Sequence, residues 1–116
     1  MKYALLIYEN EASAPAQGTP EAERIFQEYY SFTNDVVEEG VYAGGDALAP
    51  TDTATTVRIR DGETTITDGP FAETKEQLGG FYLIDVADLD AAIQVAERIP
   101  GAKTGSIEIR PVWVFE

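Results

Sequence analysis

Tyr3-Ala4-Leu5-Leu6-Ile7-Tyr8 is an unbroken apolar run of strand length. A strand with one wet face alternates apolar and polar residues. An unbroken run instead marks a strand covered on both sides, so this segment reads as a central strand. Phe81-Tyr82-Leu83-Ile84-Asp85-Val86 has the same character, and so does the end of a last strand from Ile107 to Phe115, at Val112-Trp113-Val114-Phe115. These three runs decide the architecture, and the rest of the chain is read around them.

Thr19-Pro20-Glu21 starts a helix, with Thr19 as the N-cap, Pro20 at the first helical position and Glu21 and Glu23 favourable to the dipole. Ile25, Tyr29, Phe32 and Val36 recur at spacings of three and four, with Phe26, Tyr30, Thr33 and Val37 beside them, and Gly40 is a natural stop. Val41-Tyr42-Ala43 is a short strand running into a bend at Gly44-Gly45-Asp46. Thr53 to Arg60 and Glu63 to Thr67 flank Asp61-Gly62, a strong two-residue hairpin signal, and their Thr-rich, charged composition predicts an exposed, edge-like hairpin. Asp68-Gly69-Pro70-Phe71 breaks that strand, and the segment 72–77 forms a helical turn or stays irregular before Gly79-Gly80. Asp88 caps a second helix with Leu89, Ala92, Ile93, Ala96 and Ile99 on one face, ended by Pro100-Gly101. In the last strand, alternation places Ile107, Ile109, Pro111, Trp113 and Phe115 on the helix-covered side and Glu108, Arg110, Val112 and Val114 on the other.

The order is strand, helix, strand, hairpin, strand, helix, strand. This predicts an α+β chain with a ferredoxin-like βαββαβ pattern and an added β-hairpin, its antiparallel sheet carrying two helices on one face. Residues 1–116 form a single domain, with no linker or repeat. Two helices cover only one face, yet the apolar runs are two-sided. The expectation is a homodimer in which an identical copy buries the second face and the junction creates a cleft.

Composition limits the chemistry. The chain has no cysteine and no histidine, which excludes disulfides, thiolate or imidazole metal sites, and Ser–His or Cys–His nucleophile pairs. No metal site and no cofactor are expected, and Asp52, Asp61 and Asp68 lack the spacing of a calcium loop. Proton chemistry falls to carboxylates, tyrosines, lysines or water. The net charge of −13, from 21 acidic and 8 basic residues, repels phosphate backbones and anionic lipid, which argues against direct binding of nucleic acid or membranes. The opening apolar run is too short for a membrane span and lacks a cleavage pattern, so it reads as a strand and the cytoplasm is the expected compartment.

The most distinctive segment, residues 68–80, gathers Asp68, Glu73, Lys75 and Glu76 near a bend that Gly69 permits and Pro70 stiffens, so that Phe71 is presented in a fixed direction. A lysine between carboxylates is either an acid–base or anion-binding group or part of a loop held by local salt bridges. Glu108 and Arg110 are either a binding pair at the mouth of the inter-subunit space or a structural ion pair. Asp46 caps a turn or reaches the same pocket. Tyr3, Tyr8, Tyr42 and Tyr82 are core or interface residues, with room for one hydroxyl to line a cavity.

With DGPFAETKEQLGGFYLIDV at 68–86, MKYALLIYENE at 1–11 and GSIEIRPV at 105–112, the chain resembles the DGPF-domain branch of the YCII-related proteins over nearly its whole length. The resemblance implies a ferredoxin-like fold of the dimeric α+β barrel superfamily and a pocket edge at Asp68, Gly69, Pro70, Phe71, Glu73 and Lys75, with Glu108 and Arg110. It also implies a connection to sigma factors of the extracytoplasmic-function type, beside which such proteins are often encoded. The better-studied branch carries a His–Asp pair suspected of acid–base work, and a chain without histidine departs from it.

Two functions follow as expectations. One is a dimeric small-molecule-binding protein or cofactor-independent enzyme, with Asp68 or Glu73 as base and Lys75 or Arg110 holding an anionic group. The other is a non-catalytic regulatory module linked to sigma-factor-dependent transcription, its acidic surface meeting a basic partner. An oxygenase of the dimeric-barrel kind is the weakest reading, since no histidine is present to ligate haem.

Overall fold

The computed structural model describes residues 1–115. Its strands are β1 (Lys2–Glu9), β2 (Tyr42–Ala47), β3 (Thr55–Arg60), β4 (Glu63–Asp68), β5 (Gln77–Asp85) and β6 (Ser106–Pro111), and its helices are α1 (Pro20–Glu38) and α2 (Leu89–Ala96). Single 3₁₀ turns occupy Glu11–Ser13, Thr51–Thr53 and Pro100–Ala102. Four strands form an antiparallel sheet in the order β2-β5-β1-β6. The two inner strands carry two of the three apolar runs, and the helical crossovers between β1 and β2 and between β5 and β6 give the ferredoxin-like pattern. The hairpin β3-β4 is a separate two-stranded sheet.

Helix ends follow their sequence signals. The Thr19 Oγ1 accepts from the Ala22 amide at 3.2 Å with Pro20 behind it, and Asp88 Oδ1 accepts from the Ala91 amide at 2.9 Å. In the β3-β4 turn Asp61 and Gly62 take φ of 53° and 78°, the left-handed pair that a tight hairpin turn demands.

The core lies between the helices and one face of the sheet. Tyr3, Leu5 and Ile7 of β1 and Ile84 of β5 meet Phe32 and Val36 of α1, Ala92, Val95 and Ala96 of α2, and Ile99. The residues that alternate with them in the inner strands, Ala4, Leu6, Phe81 and Leu83, are only half-buried. The molecule measures 47 × 47 × 19 Å, and its thin dimension matches one sheet plus one helix layer.

Several expectations are corrected. The last strand ends at Pro111 rather than Phe115, because β1 begins at Lys2 and the final ladder bond runs from the Val112 amide to the Lys2 carbonyl at 2.9 Å. With no neighbour beyond that point, Trp113 and Phe115 leave the core side where alternation placed them. They are 79% and 82% exposed and stack on each other at 5.3 Å. β2 does not bend away at Gly44-Gly45 but pairs with β5 as far as Ala47; a Cβ at Gly45 would lie 2.6 Å from the Phe81 carbonyl oxygen. β5 begins at Gln77, so Leu78-Gly79-Gly80 is strand rather than break, aligned on β1 after a register shift between Ile7 and Tyr8. On α2 the inward stripe contains Val95, while Leu89 and Ile93 face solvent, because eight helical residues present only a narrow face to the sheet. On α1, Phe26, Tyr30 and Val37 are likewise exposed.

Candidate functional site

At its Val36 end α1 sits tightly on the sheet, but its N-terminal half stands off from β2 and β5. Three glycines of those strands, Gly45, Gly79 and Gly80, border the gap that results. This gap is a half-open cavity of about 620 Å³, within the range typical of small-molecule sites. Phe26, Tyr29 and Thr33 line it from α1, Tyr42 and Tyr82 from the sheet, and Glu9, Glu11 and Gln77 from its rim.

Several of the polar groups here are held by partners. Glu9 follows Ile7 on the inward side of β1, and the Tyr29 hydroxyl donates to its Oε1 at 3.3 Å. Gly101 lies against this pair: an added Cβ there would collide with Glu9 Oε1 and lie 2.6 Å from the Tyr29 hydroxyl, so both side-chain ends would have to shift. Burial, reinforced by the Glu9 charge, pushes the Tyr29 hydroxyl well above its ordinary value of 10.0, so it stays a proton donor at neutral pH. Tyr82 and Thr33 share a hydroxyl–hydroxyl bond of 2.7 Å, and burial raises Tyr82 as well. At the rim the Glu11 carboxylate accepts from the Thr51 hydroxyl and, at 2.9 Å, from the Thr51 amide, which holds its carboxyl below the ordinary 4.5. The Glu11 amide donates in turn to Gln77 Oε1 at 2.9 Å. The outcome is an apolar, aromatic cleft with two fixed carboxylates and two protonated phenols. It suits hydrogen bonding and desolvation of an organic ligand, with Glu9 beside Tyr29 as its proton-handling pair.

The residues singled out from the sequence occupy different places. Asp46 lies on the β2 border of the cavity, although its register partner is Phe81, on the helix-free face. Glu108 and Arg110 also belong to the helix-free face, opposite Leu6 and Ala4, and form an exposed ion pair at 3.4 Å. Asp68 closes β4 opposite Thr55. Gly69 is tied to the hairpin, its amide donating to the Ala54 carbonyl at 2.7 Å and its carbonyl accepting from Thr56 Oγ1 at 2.8 Å. Arg58 donates to the Phe71 carbonyl at 3.1 Å, and Phe71 is 76% exposed. Glu73 and Lys75 are exposed, and Asp68, Gly69, Pro70, Phe71, Glu73 and Lys75 do not line the cavity. The loop reaches the cavity only at its end, through Gln77.

Sequence reasoning passed over Glu9, Glu11 and the pairing of Tyr29. The available signal was parity, since Glu9 has the same inward phase as Tyr3, Leu5 and Ile7 and an inward acid needs a partner. Of the tyrosines read as core or interface residues, with room for one hydroxyl in a cavity, Tyr42 and Tyr82 both line the cavity.

The family model of the YCII-related domain matches residues 1–116. The chain belongs to the YCII-related family. An uncharacterised protein of Rhizobium meliloti (strain 1021) is 43% identical to it over 118 residues, spanning 100% of this chain and 95% of that protein. This YCII-related chain has no helix long and apolar enough to cross a membrane among its described residues. Among those residues, too, no group of three or more acidic side chains is placed to hold a metal ion.

Proposed function

We propose that this YCII-related protein is a dimeric small-molecule-binding protein whose ligand enters the cleft between α1 and β2-β5. The observation that carries this reading is the 620 Å³ cavity, in which aromatic walls surround a few convergent polar groups. For a ligand with an exchangeable proton, Glu9 acts as base and the Tyr29 hydroxyl relays or stabilises the charge. This makes a cofactor-independent proton transfer the reaction class that suits the site. Asp68, Glu73 and Lys75 could serve such chemistry only on the part of a substrate that extends beyond the cleft, since they stand outside it.

The dimer is proposed from the helix-free face. Leu6, Phe81 and Leu83 form an apolar centre between the Glu108–Arg110 pair and Asp46, and a 19 Å thickness leaves this face without a covering layer of its own chain. A second copy related by a two-fold axis satisfies this face with the same residues from both sides.

Native mass spectrometry of freshly purified protein tests both parts. A dimer carrying a retained organic molecule is expected. An empty protein whose Tyr82 and Phe26 resonances respond to no compound in a metabolite screen would remove the binding reading, and a monomer at micromolar concentration would remove the dimer.

A second reading, a regulatory module contacting a sigma factor, draws on the exposed stacked pair Phe26–Tyr30 and the strongly acidic composition. Its test is gel-filtration co-elution with a purified sigma factor of the same cell at low salt. Separate elution would end it.

A further inference from the structure

From the chemistry of its lining, we infer that the cleft takes an organic ammonium ion with an aromatic or aliphatic body. The inference deepens the reading of the cleft as a ligand site and rests on it. The cleft is walled by the rings of Phe26, Tyr29, Tyr42 and Tyr82. Charged side chains reach it from Glu9 and Glu11, while Asp46 borders it by its backbone with its side chain on the helix-free face, and among the described residues no lysine or arginine lines it. An anionic ligand would leave water for a site with no countercharge, which is costly, whereas a cation gains from the carboxylates and from the negative faces of the rings. Glu9 accepts one bond from Tyr29, and a carboxylate has sites for more, which an ammonium group with its three donors fills. Glu11 is fixed by Thr51, whose hydrogen bonds favour the ionised carboxylate, so its charge is present at neutral pH before the ligand arrives. The net charge of −13 adds a long-range field that draws cations and repels anions. A cavity of 620 Å³ is far larger than a metal ion or free ammonium requires and suits a molecule with an apolar body.

Three probes of nearly the same shape separate charge from fit: tryptamine (a cation), tryptophol (neutral) and indole-3-acetate (an anion). Binding is followed by NMR titration of the full chain, and shifts at Phe26 and Tyr82 locate it. Tryptamine is expected to bind most tightly and indole-3-acetate most weakly, and about 0.5 M NaCl should weaken tryptamine while sparing tryptophol. Glu11→Gln should weaken tryptamine by about twofold to fivefold and leave tryptophol unchanged. Because Glu11 also anchors Thr51, Glu9→Gln provides a second variant with the same expected selectivity. Phe26→Ala, at a position 61% exposed, should weaken both tryptamine and tryptophol through lost ring contact, and tryptamine at least as much, because it also loses a ring face. Tryptophol binding as tightly as tryptamine, or indole-3-acetate binding more tightly, would overturn the charge assignment and leave the cleft reading standing. Failure of all three to shift Phe26 or Tyr82 at about 5 mM, a concentration that detects even very weak binding, would overturn both.

Discussion

Gly101 shows how one position governs the cleft's polar chemistry. With hydrogen as its side chain, the end of β1 and the inner face of α1 come close enough for Tyr29 to donate to Glu9 at 3.3 Å. Gly101→Ala should force Glu9 and Tyr29 apart and destabilise the fold by roughly 1–3 kcal/mol, the usual cost of overpacking, measured as a lowered urea midpoint. Leu5, fully buried at the centre of the sheet, tests the core in the same way. Leu5→Ala should cost about 2–5 kcal/mol by urea denaturation, against almost nothing for a truncation at exposed Ile59. The unbroken apolar run marked Leu5 as a buried-strand residue, while packing decided which parity of that run meets the helices. The Glu9–Tyr29 pair was not readable, because its partners lie 20 residues apart and are joined only by the way α1 lies on the sheet.

Among elements, α1 is the best marked in the sequence and the most consequential, because its N-terminal half forms a wall of the cleft. Its cap should contribute measurably: Thr19→Ala is expected to lower stability by about 1 kcal/mol. Helix α1 is joined to the end of α2 by a two-pronged bond from Arg98 to Glu39, at 3.0 and 2.8 Å, with the guanidinium 5.8 Å from the centre of the Phe32 ring. The Arg98 hydrogen bonds hold the Glu39 carboxyl below its ordinary 4.5. A depressed carboxyl stabilises the fold above its unfolded value, and that contribution disappears as pH falls through the lower folded value. Stability is therefore expected to decline below about pH 4.5, and Glu39→Gln should flatten the decline when urea midpoints are compared from pH 7 to pH 3. The hairpin was predicted correctly from Asp61-Gly62, yet its separation from the main sheet had no local signature. β3 finds β4 through the local turn, whereas whether the hairpin also joins the main sheet depends on how the chain on either side of it packs.

For the whole molecule, flatness is the physical fact behind the dimer proposal. A radius of gyration of 16.2 Å exceeds the roughly 13 Å expected for a compact chain of this length. Val57, Ile59 and Ile66 on the hairpin and Trp113, Val114 and Phe115 on the tail are all exposed. Such a shape leaves apolar surface that a single copy cannot bury. Leu83→Glu, at the centre of the helix-free face, should convert the dimer to a monomer in light scattering while circular dichroism keeps its helix and strand signal. A wild-type protein already monomeric at micromolar concentration would contradict the proposal.

The sequence by itself determined the order of strands and helices, where both helices begin, the hairpin turn, and the two-layer α+β arrangement with its two-sided inner strands. These properties depend on periodicity, capping and turn chemistry, each of which acts within a few residues. Only the tertiary structure decided that Trp113 and Phe115 lie outside the core, that the motif at 68–75 stands apart from the cavity, and that Glu9, Glu11, Tyr29 and Tyr82 share one cleft. Those outcomes depend on where neighbouring strands end and how far a helix stands off a sheet. Distances of that kind arise from packing between segments remote in the chain, and no local pattern encodes them.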